Sequence, residues 1–267
     1  MRLAVVSDIH GNLPALDAVL AEIGALGVDR IVNLGDVASG PLWPRETIER
    51  LMPLALPTLA GNHERQLLAL GTAVDPRDRG SDALAARALG EPERAWLRTL
   101  PKSLRLAGGV AACHGTPSSD CRYLMETVTD DFGRAGSLGL RAATEAELLE
   151  RLDGAEPAAV LLCGHSHLPR VRRLGDGRLL VNPGSVGLPA YDDERPHRHH
   201  VENGDAAARW ALLESAGAGW RAELRATAYD AEAAARRAEA QGRGDWADAL
   251  RSGRVGRTEA AVLGRVA

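Results

Sequence analysis

Lysine is almost absent from this 267-residue chain: Lys102 is the only one, and arginine supplies nearly all the positive charge. That bias fits a GC-rich genome and points to a bacterial source rather than to a function. Neither sign of charge dominates. The formal net charge is -4, which gives no bulk attraction to nucleic acid or to a membrane surface. Cysteine is limited to Cys113, Cys121 and Cys163. Three cysteines without regular spacing make no disulfide framework, and without a Cys-x-x-Cys pair they do not read as a zinc–thiolate site. Cys113 and Cys163 each sit in an apolar run and read as small buried hydrophobes. No stretch approaches the ~18 apolar residues of a membrane helix. No cationic, apolar leader precedes the strand-like run at residues 3–6. The expectation is a soluble, cytoplasmic protein.

What is present is an ordinary globular balance, 45% hydrophobic and 25% charged residues, enough for one domain with a substantial core. Early in the chain, short apolar runs alternate with helical patterns. Residues 3–6, 30–34 and 56–60 read as strands. Asn12 reads as a helix N-cap with Pro14 in the first turn, followed by the apolar face Leu13, Leu16, Leu20, Ile23 and Leu26. A helix is expected over 45–52. Residues 66–100 read as a helical excursion over the sheet, not a second domain. Hairpins are expected at 103–113 around Gly108-Gly109 and at 170–181 around Gly175-Asp176-Gly177. A strand is expected at 158–163, a helix at 144–152, and further strands at 208–213 and 220–226. The charged, histidine-rich run 191–205 reads as a mobile loop, and residues 230–267 as an Ala/Arg/Glu-rich helical tail. Strand–helix alternation followed by hairpins predicts an α/β fold with a mixed sheet or a pair of packed sheets, not a purely parallel, doubly wound one.

Five short blocks bear the chemistry: Asp8-Ile9-His10, Gly35-Asp36, Gly61-Asn62-His63-Glu64, His114-Gly115 and Gly164-His165-Ser166-His167. Most follow an apolar run. A strand delivers its next residues to one sheet edge, so these loops are expected to converge. Together they offer carboxylate, amide and imidazole ligands for two metal ions. A nitrogen and oxygen set without thiolate suits Mn²⁺, with Fe, Zn, Co or Ni as alternatives. The remaining histidines, His197, His199 and His200, lie in a charged stretch and are expected to be solvated. Glu64 is expected in the first turn of a helix, favouring its positive end.

In these blocks, extended by Gly11-Asn12, Val37, Thr116-Pro117, Tyr123-Leu124 and residues 182–187 (Asn-Pro-Gly-Ser-Val-Gly), the chain resembles the calcineurin-like metallophosphoesterase superfamily, and within it the small bacterial and archaeal phosphodiesterases. The resemblance implies two packed mixed β-sheets flanked by helices, a four-layer αββα sandwich. It implies that Asp8, His10 and His167 hold one metal, that Asn62, His114 and His165 hold the other, and that Asp36 bridges both. It implies that His63 faces the substrate and protonates the leaving oxygen. Asn12 and Tyr123 are candidate substrate contacts. Two divalent ions, two aspartates and a bridging hydroxide would leave the centre about +1, attractive to phosphate. Relatives acting on phosphoproteins carry Asp-Arg-Gly after their Gly-Asp block. Here Ala38-Ser39-Gly40 follows, which argues against that substrate.

The implied function is hydrolysis of a small phosphate ester or nucleotide, a diester first, by attack of a metal-bridging hydroxide. The alternatives are a phosphomonoesterase, a diadenosine-polyphosphate hydrolase and, in a different class, a non-catalytic scaffold of the same fold. Neither a membrane nor bulk nucleic acid is an expected partner, and the oligomeric state is not legible.

Overall fold

The structure is a computed structural model that describes residues 1–217 and 219–264. In chain order the elements are β1 (Arg2–Val6), α1 (Leu13–Leu26), β2 (Arg30–Asn33), α2 (Pro44–Leu51), α3 (Asn62–Leu70), α4 (Ser81–Ala88) and α5 (Glu91–Thr99). Then follow β3 (Ser103–Leu106), β4 (Val110–Cys113), β5 (Glu126–Val128), β6 (Leu140–Ala142), α6 (Glu145–Arg151), β7 (Val160–Leu162), β8 (Arg170–Arg173) and β9 (Leu179–Asn182). The chain continues through β10 (Ala190–Asp193), β11 (His199–Glu202), β12 (Ala208–Ala216), β13 (Gly219–Thr227), α7 (Ala231–Ala240), α8 (Gly244–Ser252) and α9 (Glu259–Val262).

Two mixed sheets form the centre. One runs β13-β12-β1-β2 and the other β3-β4-β7-β9-β8. β1 is parallel to β2 and antiparallel to β12, while β4, β7 and β9 are mutually parallel. The period-two alternation of each strand decides the layering. Leu3 and Val5 of β1 join Val110, Ala112, Val160, Leu162, Leu179 and Val181 in the core between the sheets. Ala4 and Val6 point the other way, onto Leu16, Val19 and Ile23 of α1 and Ile48 of α2. Ala111, Cys113, Leu161, Cys163 and Leu180 face outward onto Leu148 and Leu152, at α6 and its end. The result is helix, sheet, sheet, helix, as the resemblance implied. Among the described residues no helix is long and apolar enough to cross a membrane.

Two expectations need correction. Residues 56–60 form no strand; only one parallel bridge, Asn33 to Thr58, is made. Pro57 has no backbone N–H to continue a ladder, so the segment contributes one donor from Leu59 and one acceptor from Pro57 to Asn33. The run 191–205 is not a loose loop: it holds the antiparallel hairpin β10–β11, with Ala190 facing Glu202 and Asp193 facing His199. The C-terminal segment is helical, as expected, and packs onto the fold. Ala234, Ala235 and Ala238 of α7 and Trp246, Ala247 and Leu250 of α8 are buried with Leu42, Leu188 and Ala190 in a core of their own. Small alanines on α7 allow α8 to approach closely, and Arg251 ties the pair through Glu232 and Glu239.

Candidate metal centre

The loops that leave β1, β2, β4 and β7, together with the start of α3, meet at one edge of the sheets. Their backbone is strained there. Among the described residues seven non-glycine residues take positive φ, and five of them are Asp8, His10, Asp36, His165 and His167. Left-handed conformations of this kind persist where the surroundings impose them and cluster at functional sites. Close approach explains the neighbouring glycines. A Cβ on Gly61 would collide with the Asp36 carboxylate, and one on Gly164 with the Ser7 hydroxyl.

Six of the seven sequence-predicted ligands form two tight groups. Asp8, His10 and His167 offer one atom each, all within 4.8 Å of one another, and so do Asp36, His114 and His165. The Nε2 atoms of His10 and His167 face each other at 3.0 Å. His167 Nε2 lies 3.4 Å from Asp8 Oδ1, and His114 Nε2 lies 3.0 Å from Asp36 Oδ2. Two of the rings are anchored from behind, which aims Nε2 into the cluster: His114 Nδ1 meets the Leu34 carbonyl at 2.7 Å and His167 Nδ1 the Leu188 carbonyl at 2.8 Å. Asn62, at the start of α3, faces the same space. Its Oδ1 is buried without a hydrogen-bond partner, an arrangement that a buried amide oxygen rarely adopts without a ligand.

Protonation follows burial and neighbouring charge. Burial, then repulsion from His167, pushes His10 down to about 3. Burial and His114 push His165 down to about 4. Both imidazoles are therefore neutral near pH 7, the form that ligates metals. Burial also opposes protonation of His114, but Asp36 outweighs it and raises that group to about 10. Burial would raise Asp36 as well, yet His114 and His63 hold it well below the usual carboxylate range.

His63 stands beside this cluster, its ring 5.4 Å from that of His10. Its backbone N–H donates to Asp36 Oδ1 at 3.0 Å, and its Nδ1 meets Asp82 Oδ1 at 2.8 Å. Burial disfavours its charge, but Asp36, then Asp82, raise it to about 9. Asp82 was not foreseen. It lies 19 residues further on, in the first turn of α4, and no motif marks it. Glu64 does more than favour a helix end. Its carboxylate accepts the backbone N–H groups of Asp36, Val37 and Gly61, each at 2.8 Å, so it pins the Asp36 loop to the Gly61 loop. Burial, then Asp36, raises it to about 7.

A cleft of about 900 Å³ opens over the centre. It reaches from His10, Asp36, Asn62, His63, His165 and His167 to Tyr123, Tyr191, Trp246 and Arg257. Tyr123 lines it, but its hydroxyl is occupied by Tyr191 Oη at 2.5 Å and His199 Nε2 at 3.0 Å. Asn12 does not line it. Its amide accepts from Ala15 N as the cap of α1 and donates to the Gly187 carbonyl and to Tyr229 Oη, a structural place rather than a substrate-facing one. The expectation of three solvated histidines fails at His199, which is fully buried. The β10–β11 pairing turns it inward, onto Tyr123. Tyr191, also unforeseen, donates to the His165 carbonyl at 3.1 Å.

A model of the calcineurin-like phosphoesterase superfamily domain matches residues 1–203. An uncharacterized protein of Methanocaldococcus jannaschii is 28% identical over 208 residues, 70% of this chain and 76% of that protein. A metallophosphoesterase from Sphaerobacter thermophilus superposes with a TM-score of 0.68 at 24% identity, over 94% of this chain and 98% of its own. A hypothetical protein from Pyrococcus horikoshii gives a TM-score of 0.71 at 20% identity, over the same 94% and 98%. The two structures share the fold. The family model spans all five ligand-bearing blocks and more than half of the chain, so the protein belongs to the calcineurin-like phosphoesterase superfamily.

Proposed function

We propose that this protein is a metal-dependent phosphodiesterase acting on a small phosphate diester or nucleotide, with two divalent ions, Mn²⁺ first, in the centre. One observation carries the reading: two acid–imidazole groups share one edge, with His63, held by Asp82, at their side. The residues fit the ions. His10 and His165 are held neutral, and the buried Asn62 Oδ1 lacks any other partner. Asp8, His10 and His167 would hold one ion, Asn62, His114 and His165 the other, and Asp36 would face both. Ions bound there supply charge to offset phosphate and bring a water within reach of deprotonation near neutral pH.

The protein's own groups supply the rest. Asp82 holds Nδ1 of His63, which leaves Nε2 free to carry a proton toward the cleft. A proton at that atom stabilises a departing alkoxide or phenoxide. A cleft of about 900 Å³ is far larger than phosphate and lies in the usual range for organic ligands, which favours an ester with a sizeable alcohol. The test is turnover of bis-p-nitrophenyl phosphate and p-nitrophenyl phosphate, with a panel of nucleotides, by Mn²⁺-loaded protein. Faster turnover of the diester supports the proposal. Preference for the monoester would reassign it as a phosphatase, and inertness toward every substrate would sink it.

A further inference from the structure

The family model ends at residue 203, yet the cleft is closed by residues well beyond it. Arg243, the cap residue before α8, is 1% exposed although it carries a guanidinium. Its donors go in two directions. Toward its own segment, Nε and Nη2 grip Asp245 at 2.9 and 2.6 Å, and Nη2 reaches Glu259 at 2.9 Å. Toward the helical excursion, Nη1 donates to Ser81 Oγ at 2.8 Å and to the Arg79 carbonyl at 3.1 Å. Ser81 opens α4, and the next residue is Asp82, which holds His63 at 2.8 Å. The Ser81 carbonyl is also fixed by the Gly40 N–H at 3.2 Å. Trp246, in the first turn of α8, sets its ring edge-on to that of His10 at 5.9 Å. The C-terminal helices thus touch the centre at two places, and the tighter route runs Arg243, Ser81, Asp82, His63.

We infer that Arg243 is a positioning residue: it clamps the first turn of α4 so that Asp82 keeps His63 aimed at the leaving oxygen. The C-terminal helices then belong to the active machinery. This rests on the role given to His63 above. A guanidinium suits the task because its planar fork fixes direction as well as charge. Each of its three nitrogens is engaged here.

The test compares two diesters on full-length, Mn²⁺-loaded protein. p-Nitrophenolate departs readily without a proton, whereas phenolate depends on one. Arg243→Gln is expected to slow diphenyl phosphate turnover by about tenfold or more, and bis-p-nitrophenyl phosphate by less than about threefold, with metal content unchanged. Asp82→Asn should show the same split, and the double variant should be little worse than Asp82→Asn alone, since residues acting in one chain are not additive. A second readout needs neither metal nor turnover: the low-field Nδ1 proton resonance of His63 in metal-free protein should vanish in both variants. Equal losses on the two diesters, multiplying effects, or an unaltered resonance would overturn the inference. Should Arg243→Gln not fold, Ser81→Ala removes a single contact on α4 and should give a weaker split of the same sign; no split there would also overturn it. A wild-type protein inert to every diester would refute the proposed function, while the resonance still decides whether the clamp exists.

Discussion

The floor of the cleft and its wall are built in opposite ways. The floor is made of loops at strand ends, where buried strands fix the exit points and the backbone is bent into left-handed conformations at Asp8, His10, Asp36, His165 and His167. The wall is made of helices, α4 and α8, which contribute single side chains from two segments far apart in sequence: Asp82 from one, Arg243 and Trp246 from the other. Rigid strands can place several ligands at once within hydrogen-bond distances. Helices packed on one another by small residues can instead bring one long side chain across a gap. Under the proposed function this makes a division of labour, in which the floor would supply charge and ligands and the wall proton placement and enclosure.

The sharpest way to break that division is at Asp36. Asp36→Ala should abolish activity and release metal, measured by elemental analysis beside turnover, because the buried cluster would lose the carboxylate proposed to serve both ions. His63→Ala comes next. It should lower turnover by ~10²–10⁴, the scale of a lost general acid, and leave metal content nearly intact. Equal metal loss in the two variants would erase the distinction between ligand and proton donor.

Trp246→Ala probes the wall alone. Its ring is 5% exposed and covers Gly40 and His10, so truncation should cost about 3–5 kcal/mol of stability, read by denaturant unfolding, with metal retained. Full stability in that variant would show that the wall is not packed as described. The smallest effect concerns protons. His114, raised to about 10, is charged at pH 7 and must become neutral to ligate. His10 and His165, lowered to about 3 and 4, have no proton to give. Metal binding at pH 7 should therefore release at least about one proton, measured by calorimetry in buffers of different ionisation enthalpy. Binding without release would show that His114 takes no part.

The floor was legible and the wall was not, for a physical reason. Apolar strands announce their own ends, and Asp, Asn and His are residue types able to ligate a metal, so Asp8, His10, Asp36, Asn62, His114, His165 and His167 stood out as candidates against apolar neighbours. Glu64 was visible as a helix-start residue, but its three backbone contacts depend on two loops meeting, which local sequence does not encode. The hairpin at residues 190–202 was misread because its strands are polar and charged. The buried face of the hairpin is made by Ala190, His199 and Val201, and a histidine in that set hides the alternation.

The sequence by itself determined most of the strand-end loops and the chemistry of their side chains, and its resemblance to a known family implied the two packed sheets. Only the tertiary structure decided which carboxylate holds His63, which loops are pinned by Glu64, and that residues 243–260 close the cleft. Periodicity and motif are properties of neighbouring residues and survive in the linear chain. A contact such as Arg243 to Ser81 exists only once distant helices have docked, and a lone arginine before a helix looks like any other until then.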